Sequence, residues 1–308
     1  MQLKRGASGV PSKPAASHYL SLVGACAAWG LSFVVTKFTL ESMGAMTLVL
    51  GRFAIGAVIL GAISPALRFQ KIEKSDLKFF FLLCTFEPGL YYIFETYGIQ
   101  KTDPTSAALI IAAIPVLVII IAHFTAGERL TPSKIAGAAV SIAGVFVVTT
   151  GGVASMGAGT TLAGNLLVMG ATVVASFFTV VLSRLAKRYN PVTVTRFQVL
   201  FASLFFLPLG VPEYVGQGCP VPDAWHLAAL LFLALVPGLG AFFMYNHALS
   251  AIEAGRAAVF LNLIPVFTAT AAWLFLRQEF TLFHLAGGAL TVGGVLLANR
   301  GRGRDRKG

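Results

Sequence analysis

The sequence predicts an all-α membrane protein of ten transmembrane helices, arranged as two inverted five-helix repeats with both termini cytoplasmic. Three observations carry that expectation: composition, the placement of basic residues, and a self-match within the chain. Of 308 residues, 56% are hydrophobic and 11% charged, and the mean hydropathy is +0.81. A soluble domain carries about 25% charged residues, so a globule this poor in charge could not cover its own surface. Lipid must therefore solvate most of the chain. A soluble enzyme, a nucleic-acid binder and a single-pass receptor are excluded.

The elements follow in order. Residues 1–17 form a polar cytoplasmic tail carrying Lys4, Arg5 and Lys13. The apolar run after it exceeds 15 residues and shows no small-x-small cleavage pattern, so it is read as an anchor and not as a cleaved signal. A spanning helix needs about 20 apolar residues. Runs of that kind predict spans at 18–37, 46–67, 78–99, 104–124, 133–150, 163–184, 192–211, 225–248, 256–276 and 282–299. Their connections hold breakers such as Asp103-Pro104, Thr131-Pro132 and Asn190-Pro191. Residues 18–150 make the first five-helix repeat, 151–162 a glycine-rich external linker, 163–299 the second repeat, and 300–308 a basic cytoplasmic tail.

Charge tests this count. With the N-terminus inside, the inner segments hold 19 of the 23 Lys and Arg residues, and the outer segments hold Lys37, Arg52, Lys101 and Arg277. Such a bias is the positive-inside pattern. The net charge of +11 is then a topology signal, with attraction to anionic inner-leaflet lipid as a second effect. The basic C-tail has five charges and no interleaved aromatic residues, so no nucleic-acid partner is expected.

A shift of 150 residues overlays 105–148 on 255–298 without a gap, with 12 identities in 44 positions. The weightiest are Pro115 with Pro265, Thr131 with Thr281, Gly137 with Gly287 and Gly144 with Gly294. Pro88-Gly89-Leu90 recurs as Pro237-Gly238-Leu239, and Arg52-Phe53 as Arg196-Phe197. Five helices per half is an odd number, so the second half is inverted. Inverted repeats are a recurring plan for secondary transporters, because a central site can face each side in turn.

The residues Trp29-Gly30-Leu31-Ser32-Phe33 with Lys37, Arg52-Phe53, Ala107-Ala108-Leu109 through Pro115, and Gly127-Glu128-Arg129-Leu130-Thr131 form an ordered set. With Gly137 and Gly144 the pattern resembles the EamA-type branch of the drug/metabolite transporter superfamily. The second half carries a degraded version, in which Arg277-Gln278-Glu279-Phe280-Thr281 places its glutamate one residue later. The resemblance implies ten helices around a central cavity, and efflux of amino acids, other small metabolites or drugs.

An ionisable group at mid-membrane costs roughly 2.5–3.5 kcal/mol on insertion scales, so it faces protein or water and is a site candidate. Glu87 lies nine residues past Lys78, which is roughly 13 Å at the helical rise and close to the midplane. It precedes Pro88, which removes an amide donor and loosens the helix. Its repeat mate is Val236, so the repeat itself does not demand an acid. Glu87 is read as a proton carrier, or as counter-ion to a cationic group; the alternative is a protonated acid bonded to a neighbouring helix. Tyr91 and Glu95 follow at steps of four and share its face. A stripe of acid, tyrosine and acid suits a cationic or zwitterionic substrate, since aromatic faces attract ammonium groups.

The other candidates have two readings each. Trp29, with Ser32 nearly one turn on, either walls the cavity or packs against the third or fourth span. Asn262 either lines the cavity or bonds a neighbouring helix. Ser176 and Thr179 either serve the site or back-bond within their helix. Lys37 and Arg52 are read as snorkelling residues or a local ion pair, and Tyr245, Asn246 and His247 as an inner gate or interface. Pro88 is expected as a hinge, and Pro115 and Pro265, at equivalent mid-helix points, as hinges or kinks that shape the cavity. The glycines of the fifth and tenth spans are expected to allow close helix packing.

Cys26, Cys84 and Cys219 show no metal spacing or disulfide framework. No Walker motif and no catalytic set is present, so neither metal, cofactor nor enzymatic activity is expected. The expectation is a secondary-active or facilitative carrier in the plasma (inner) membrane. It would export small metabolites such as amino acids by alternating access, with protons as candidate coupling ion. A lipid or lipid-linked substrate flippase on the same fold is the alternative. Small-molecule substrate and lipid bilayer are the expected partners, and no oligomeric signature is present.

Overall fold

A computed structural model describes residues 14–102, 107, 110–150, 161–276 and 282–299. Both tails, most of the linker and the segment Arg277–Thr281 fall outside the described residues. Every regular element among those described is helical. The first half comprises α1 (Ala16–Thr39), α2 (Ala45–Ala62), α3 (Lys74–Cys84), α4 (Tyr91–Lys101), α5 (Ile114–Ala126) and α6 (Pro132–Thr150). The second comprises α7 (Leu162–Leu185), α8 (Pro191–Gly216), α9 (Ala224–Leu233), α10 (Phe242–Leu249), α11 (Ala254–Phe260), α12 (Leu263–Leu276) and α13 (Leu282–Asn299). A wide turn over Thr85–Leu90 joins α3 to α4 in one rod, and a similar turn over Ala234–Ala241 joins α9 to α10. Seven helical rods are long and apolar enough to cross a membrane. Three shorter apolar helices, Ile114–Ala126, Pro132–Val147 and Leu285–Ala298, accompany them.

The helix ends have local causes. Asn190 caps α8 by accepting the Thr193 amide at 2.8 Å, and Asp223 caps α9 by accepting the Trp225 and His226 amides, both at 2.9 Å. Gly127 ends α5 at φ 66°, the left-handed conformation that glycine takes without a Cβ penalty. α2 stops at Ala62, short of the expected 67, and a single 3-10 turn over Ser64–Ala66 contains Pro65. α8 runs on to Gly216 through Pro208 and Pro212, longer than expected; a helix in lipid tolerates proline where neighbours satisfy the freed groups.

Two expectations change. Pro115 and Pro265 are not kinks inside continuous helices. Pro115 is the second residue of α5, after a turn at Ala112-Ala113, and Pro265 the third of α12, after a turn at Leu261-Asn262. A missing amide costs nothing in a first turn, where amides have no partner within the helix. Each proline therefore marks a join between two helical pieces.

The halves interlock by one rule. α1, the first rod of the first half, packs on α10 and α12, and α7, the first rod of the second half, packs on α4 and α5. The second rods, α2 and α8, pack on each other, as do the last, α6 and α13. Both of these pairs run antiparallel. Thr47 near the start of α2 donates to the Gly210 carbonyl near the end of α8. Gly137 at the start of α6 faces Ala298 at the end of α13. Matched helices that run in opposite directions mean inverted halves. At the α6–α13 seam a Cβ on Gly144 would strike the Thr291 backbone, and one on Gly294 the Ser141 backbone, so these glycines set the approach.

Candidate functional site

The rod α3–α4 is interrupted at its middle. Glu87 has φ −145° and ψ 122°, an extended conformation within otherwise helical backbone. Proline disfavours the helical region in the residue before it, so the break falls at Glu87. The Glu87-Pro88 peptide bond is cis. The matching turn around Pro237 is not flanked by an acid, and Val236 there is 39% exposed.

The break turns Glu87 into a small central cavity. Of the residues expected at a site, Glu87, Tyr91, Glu95, Trp29 and Ser32 all line it, with Tyr92, Thr179 and Tyr245 adding polar atoms. Glu87 and Glu95 are 6% and 5% exposed. The Glu87 carboxyl makes no hydrogen bond to a described residue, whereas Glu95 accepts a long one from Thr96 at 3.4 Å. The Trp29 ring meets Tyr245 edge-on at 5.2 Å, and the Tyr245 hydroxyl sits 3.2 Å from the Thr179 hydroxyl. Ser32 donates to the Trp29 carbonyl at 2.7 Å, which spends its hydrogen but leaves its oxygen free to accept.

Arg52 is the residue the sequence underrated. Its expected roles were snorkelling or ion pairing, but it is 3% exposed and forms no carboxylate contact within ion-pair distance among the described residues. Its guanidinium lies over the Tyr92 ring at 4.8 Å, and its Nε and one Nη find no hydrogen-bond partner. It acts electrostatically on both Glu87 and Glu95. One buried cation thus acts on two acids from outside the lining of the cavity. Lys37 instead donates to the carbonyls of Ile99 and Thr102 at 2.8 and 3.4 Å, closing the end of α4.

Two expected site residues lie off the cavity. Asn262 donates to the Ser141 hydroxyl of α6 at 2.6 Å, and Ser176 donates back to the Thr172 carbonyl at 2.7 Å. Both are fully buried and take the packing role. Tyr245 and Thr179 take the places nearer the cavity. Asn246 turns away to Gln198 and Thr195, at 2.8 and 2.9 Å.

The cavity encloses about 40 Å³. That admits a few waters, against the roughly 300 Å³ or more of a ligand pocket. Polar ties between the halves close the bundle at both ends. At one end the Ala254 and Gly255 amides donate to Glu128 at 2.8 and 3.1 Å, and Lys134 bridges Glu128 and Glu253 at 3.2 and 3.0 Å. Burial acts to raise the Glu253 carboxyl, but Lys134, with Arg256 and Lys187, outweighs it and holds the group below the usual carboxylate range. At the same end Asp76 accepts from Arg188 at 2.8 Å and from the Tyr189 hydroxyl at 2.6 Å. At the other end Glu213 accepts from the Thr47 amide at 2.7 Å and its hydroxyl at 3.0 Å, and Thr102 donates to Asn165 at 2.7 Å.

Comparison with known proteins agrees with this geometry. A family model described as the EamA-like transporter family matches the chain twice, over residues 16–150 and 162–300. The chain is 27% identical over 296 residues to the uncharacterized transporter YetK of Bacillus subtilis, covering 94% of this chain and 89% of the relative. It is 27% identical over 280 residues to a probable terminal-alkyne amino-acid exporter of Streptantibioticus cattleyicolor, covering 90% and 92% respectively. A solved crystal structure, described only as that of a protein, superposes with a TM-score of 0.75 at 22% identity over 93% of this chain and 97% of the other. That likeness shows the shared fold.

Proposed function

Since the chain belongs to the EamA-like transporter family, we propose that it is a ten-span secondary carrier exporting small amine-bearing metabolites, amino acids first, by alternating access. The family and the relatives named above are transporters, not enzymes. The ten-span reading is supported by seven long apolar rods together with three shorter apolar helices. Placing both termini in the cytoplasm of a plasma (inner) membrane is supported by the 19-to-4 split of basic residues. Relatives named as transporters and as an amino-acid exporter do not favour the lipid-flipping alternative.

The observation that carries the reading is Glu87, an acid without a hydrogen-bond partner among described residues, presented by a broken helix to a small central cavity. A substrate ammonium group would lie between Glu87, Tyr91 and Glu95, where carboxyl charge and aromatic faces both favour it. Trp29 and Tyr245 would pack on the substrate's apolar part. Glu87 would alternate between binding a proton and binding the ammonium group, which couples export to proton entry by competition for one carboxyl. Hinge motion at Pro88, Pro115 and Pro265 would open the cavity.

The test is transport by the purified full chain in proteoliposomes. A panel of amino acids, amines and nucleosides is offered with and without a pH gradient. Accumulation of an amine-bearing substrate driven by the gradient is the expected result. Transport of none of the panel, or transport of nucleosides alone, would overturn the substrate assignment.

A further inference from the structure

A second cavity lies on the flank of the bundle, where α3, α5 and α7 meet, and encloses about 370 Å³. Its wall is apolar and aromatic, built from Phe79, Leu82 and Phe86 on one side and Phe177 and Val181 on the other. Phe79, Leu82 and Phe177 remain 37%, 42% and 40% exposed. In a bilayer, acyl chains fill such a trough.

One end of the trough is charged. Arg188 and Asp76 line it but satisfy each other at 2.8 Å. Arg184 differs. It stands in the last turn of α7, is exposed, and donates to the Thr125 carbonyl, a neutral acceptor. No carboxylate pairs with it among the described residues. A guanidinium has five N–H donors, so most of its capacity and all of its charge are unspent. Lys78 adds a second cation next to the lining residue Phe79, its ammonium 5.2 Å from that ring's centroid. An apolar channel ending in uncompensated positive charge matches a long hydrocarbon with an anionic head.

We propose that this groove is a specific site for one anionic phospholipid. Its phosphodiester sits at Arg184 and one acyl chain runs along Phe79, Phe86 and Phe177. A zwitterionic lipid would bring its own cation against Arg184 and Lys78, so the site discriminates by headgroup charge. In the proposed orientation Arg184 faces the cytoplasmic leaflet; that assignment rests on the topology reading, but the lipid preference does not. The lipid is a bound component here, not cargo. Its chain would lie against the wall of the transport site, because Phe86 stacks on Phe177 at 5.6 Å and their sequence neighbours Glu87 and Phe178 line the central cavity.

The test is native mass spectrometry of the purified full chain, titrated in detergent with phosphatidylglycerol or phosphatidylcholine. One phosphatidylglycerol per chain is expected to bind, several-fold more tightly than phosphatidylcholine. Arg184→Gln and, separately, Lys78→Gln should each weaken phosphatidylglycerol roughly fivefold without changing phosphatidylcholine. Val181→Trp should fill the trough and displace both lipids. Lys187→Gln removes a cation that acts on Glu253 and not on a lining residue of the groove, and should leave the preference intact. Equal binding of the two lipids by the native chain would overturn the proposal, as would an equal loss in Lys187→Gln and Arg184→Gln. Lipid binding is read without substrate, so its failure is distinguishable from failure of the transport assignment.

Discussion

Glu87 owes its place to its neighbour. Pro88 disfavours the helical region at the preceding residue, and the extended backbone at Glu87 presents the carboxyl to the cavity from mid-rod. A glutamine has the same shape and depth but cannot exchange a proton. Glu87→Gln should therefore abolish the dependence of transport on a pH gradient while leaving exchange of labelled for unlabelled substrate. Parallel flux assays in proteoliposomes, with and without a gradient, read both quantities. Unaltered pH dependence in the mutant would remove Glu87 from coupling. That this acid falls in the middle of a long helical rod is legible in the sequence, from its distance along the helical rise. Direction is not. Asn262 and Ser176 sit at comparable depth, yet they bond inside the packing, because the face a side chain takes depends on partners far away in the chain. Arg52 escaped for the same reason: nothing near it in sequence announces that Tyr92 will lie beneath its guanidinium.

Among the elements, the α6–α13 seam is the clearest case of sequence dictating contact. Gly144 and Gly294 are repeat mates, and each lies against backbone of the opposite helix. Gly144→Leu must push the helices apart, with an expected loss of about 1–3 kcal/mol, typical of overpacking. Gly293 has no atom of a described residue within 4 Å of where its Cβ would lie, so Gly293→Leu should change stability by less than about 0.5 kcal/mol. Thermal unfolding of the two variants in one detergent gives the comparison; equal shifts would mean the seam is not set by close approach. The matched prolines teach a limit. Their equivalence is plain in the sequence, but a proline reads alike whether it kinks a helix or begins one. Only the turns before α5 and α12 decide between the two. Span ends were likewise blurred where a helix runs on into polar sequence, as at α3, which begins at Lys74 where hydropathy suggested 78.

On the scale of the whole molecule, polar ties between the halves at both ends and a cavity of about 40 Å³ fit the occluded step of the proposed cycle. Alternating access requires the ties at one end to break while those at the other hold. The Glu128 tie is the stronger, since it satisfies two helix-start amides and a Lys134 only 2% exposed. Glu253 in the same cluster is held below the usual carboxylate range, so its contribution is present above that range and is lost as pH falls through its lowered value. That end should therefore stay closed between about pH 5 and 8. Engineered disulfides separate the two gates. With Cys219, the exposed native thiol, changed to serine, one variant carries Thr47→Cys with Glu213→Cys, and another Glu128→Cys with Gly255→Cys. Each bridge should arrest net transport, and reduction should restore it. A third substitution, Ser32→Cys in the cavity wall, reports which side remains open. Bridging 47 to 213 should leave it reachable by an impermeant thiol reagent only from the side of the Glu128 cluster, and bridging 128 to 255 only from the opposite side. Continued transport with either bridge formed would mean that the halves do not move against each other as rigid units.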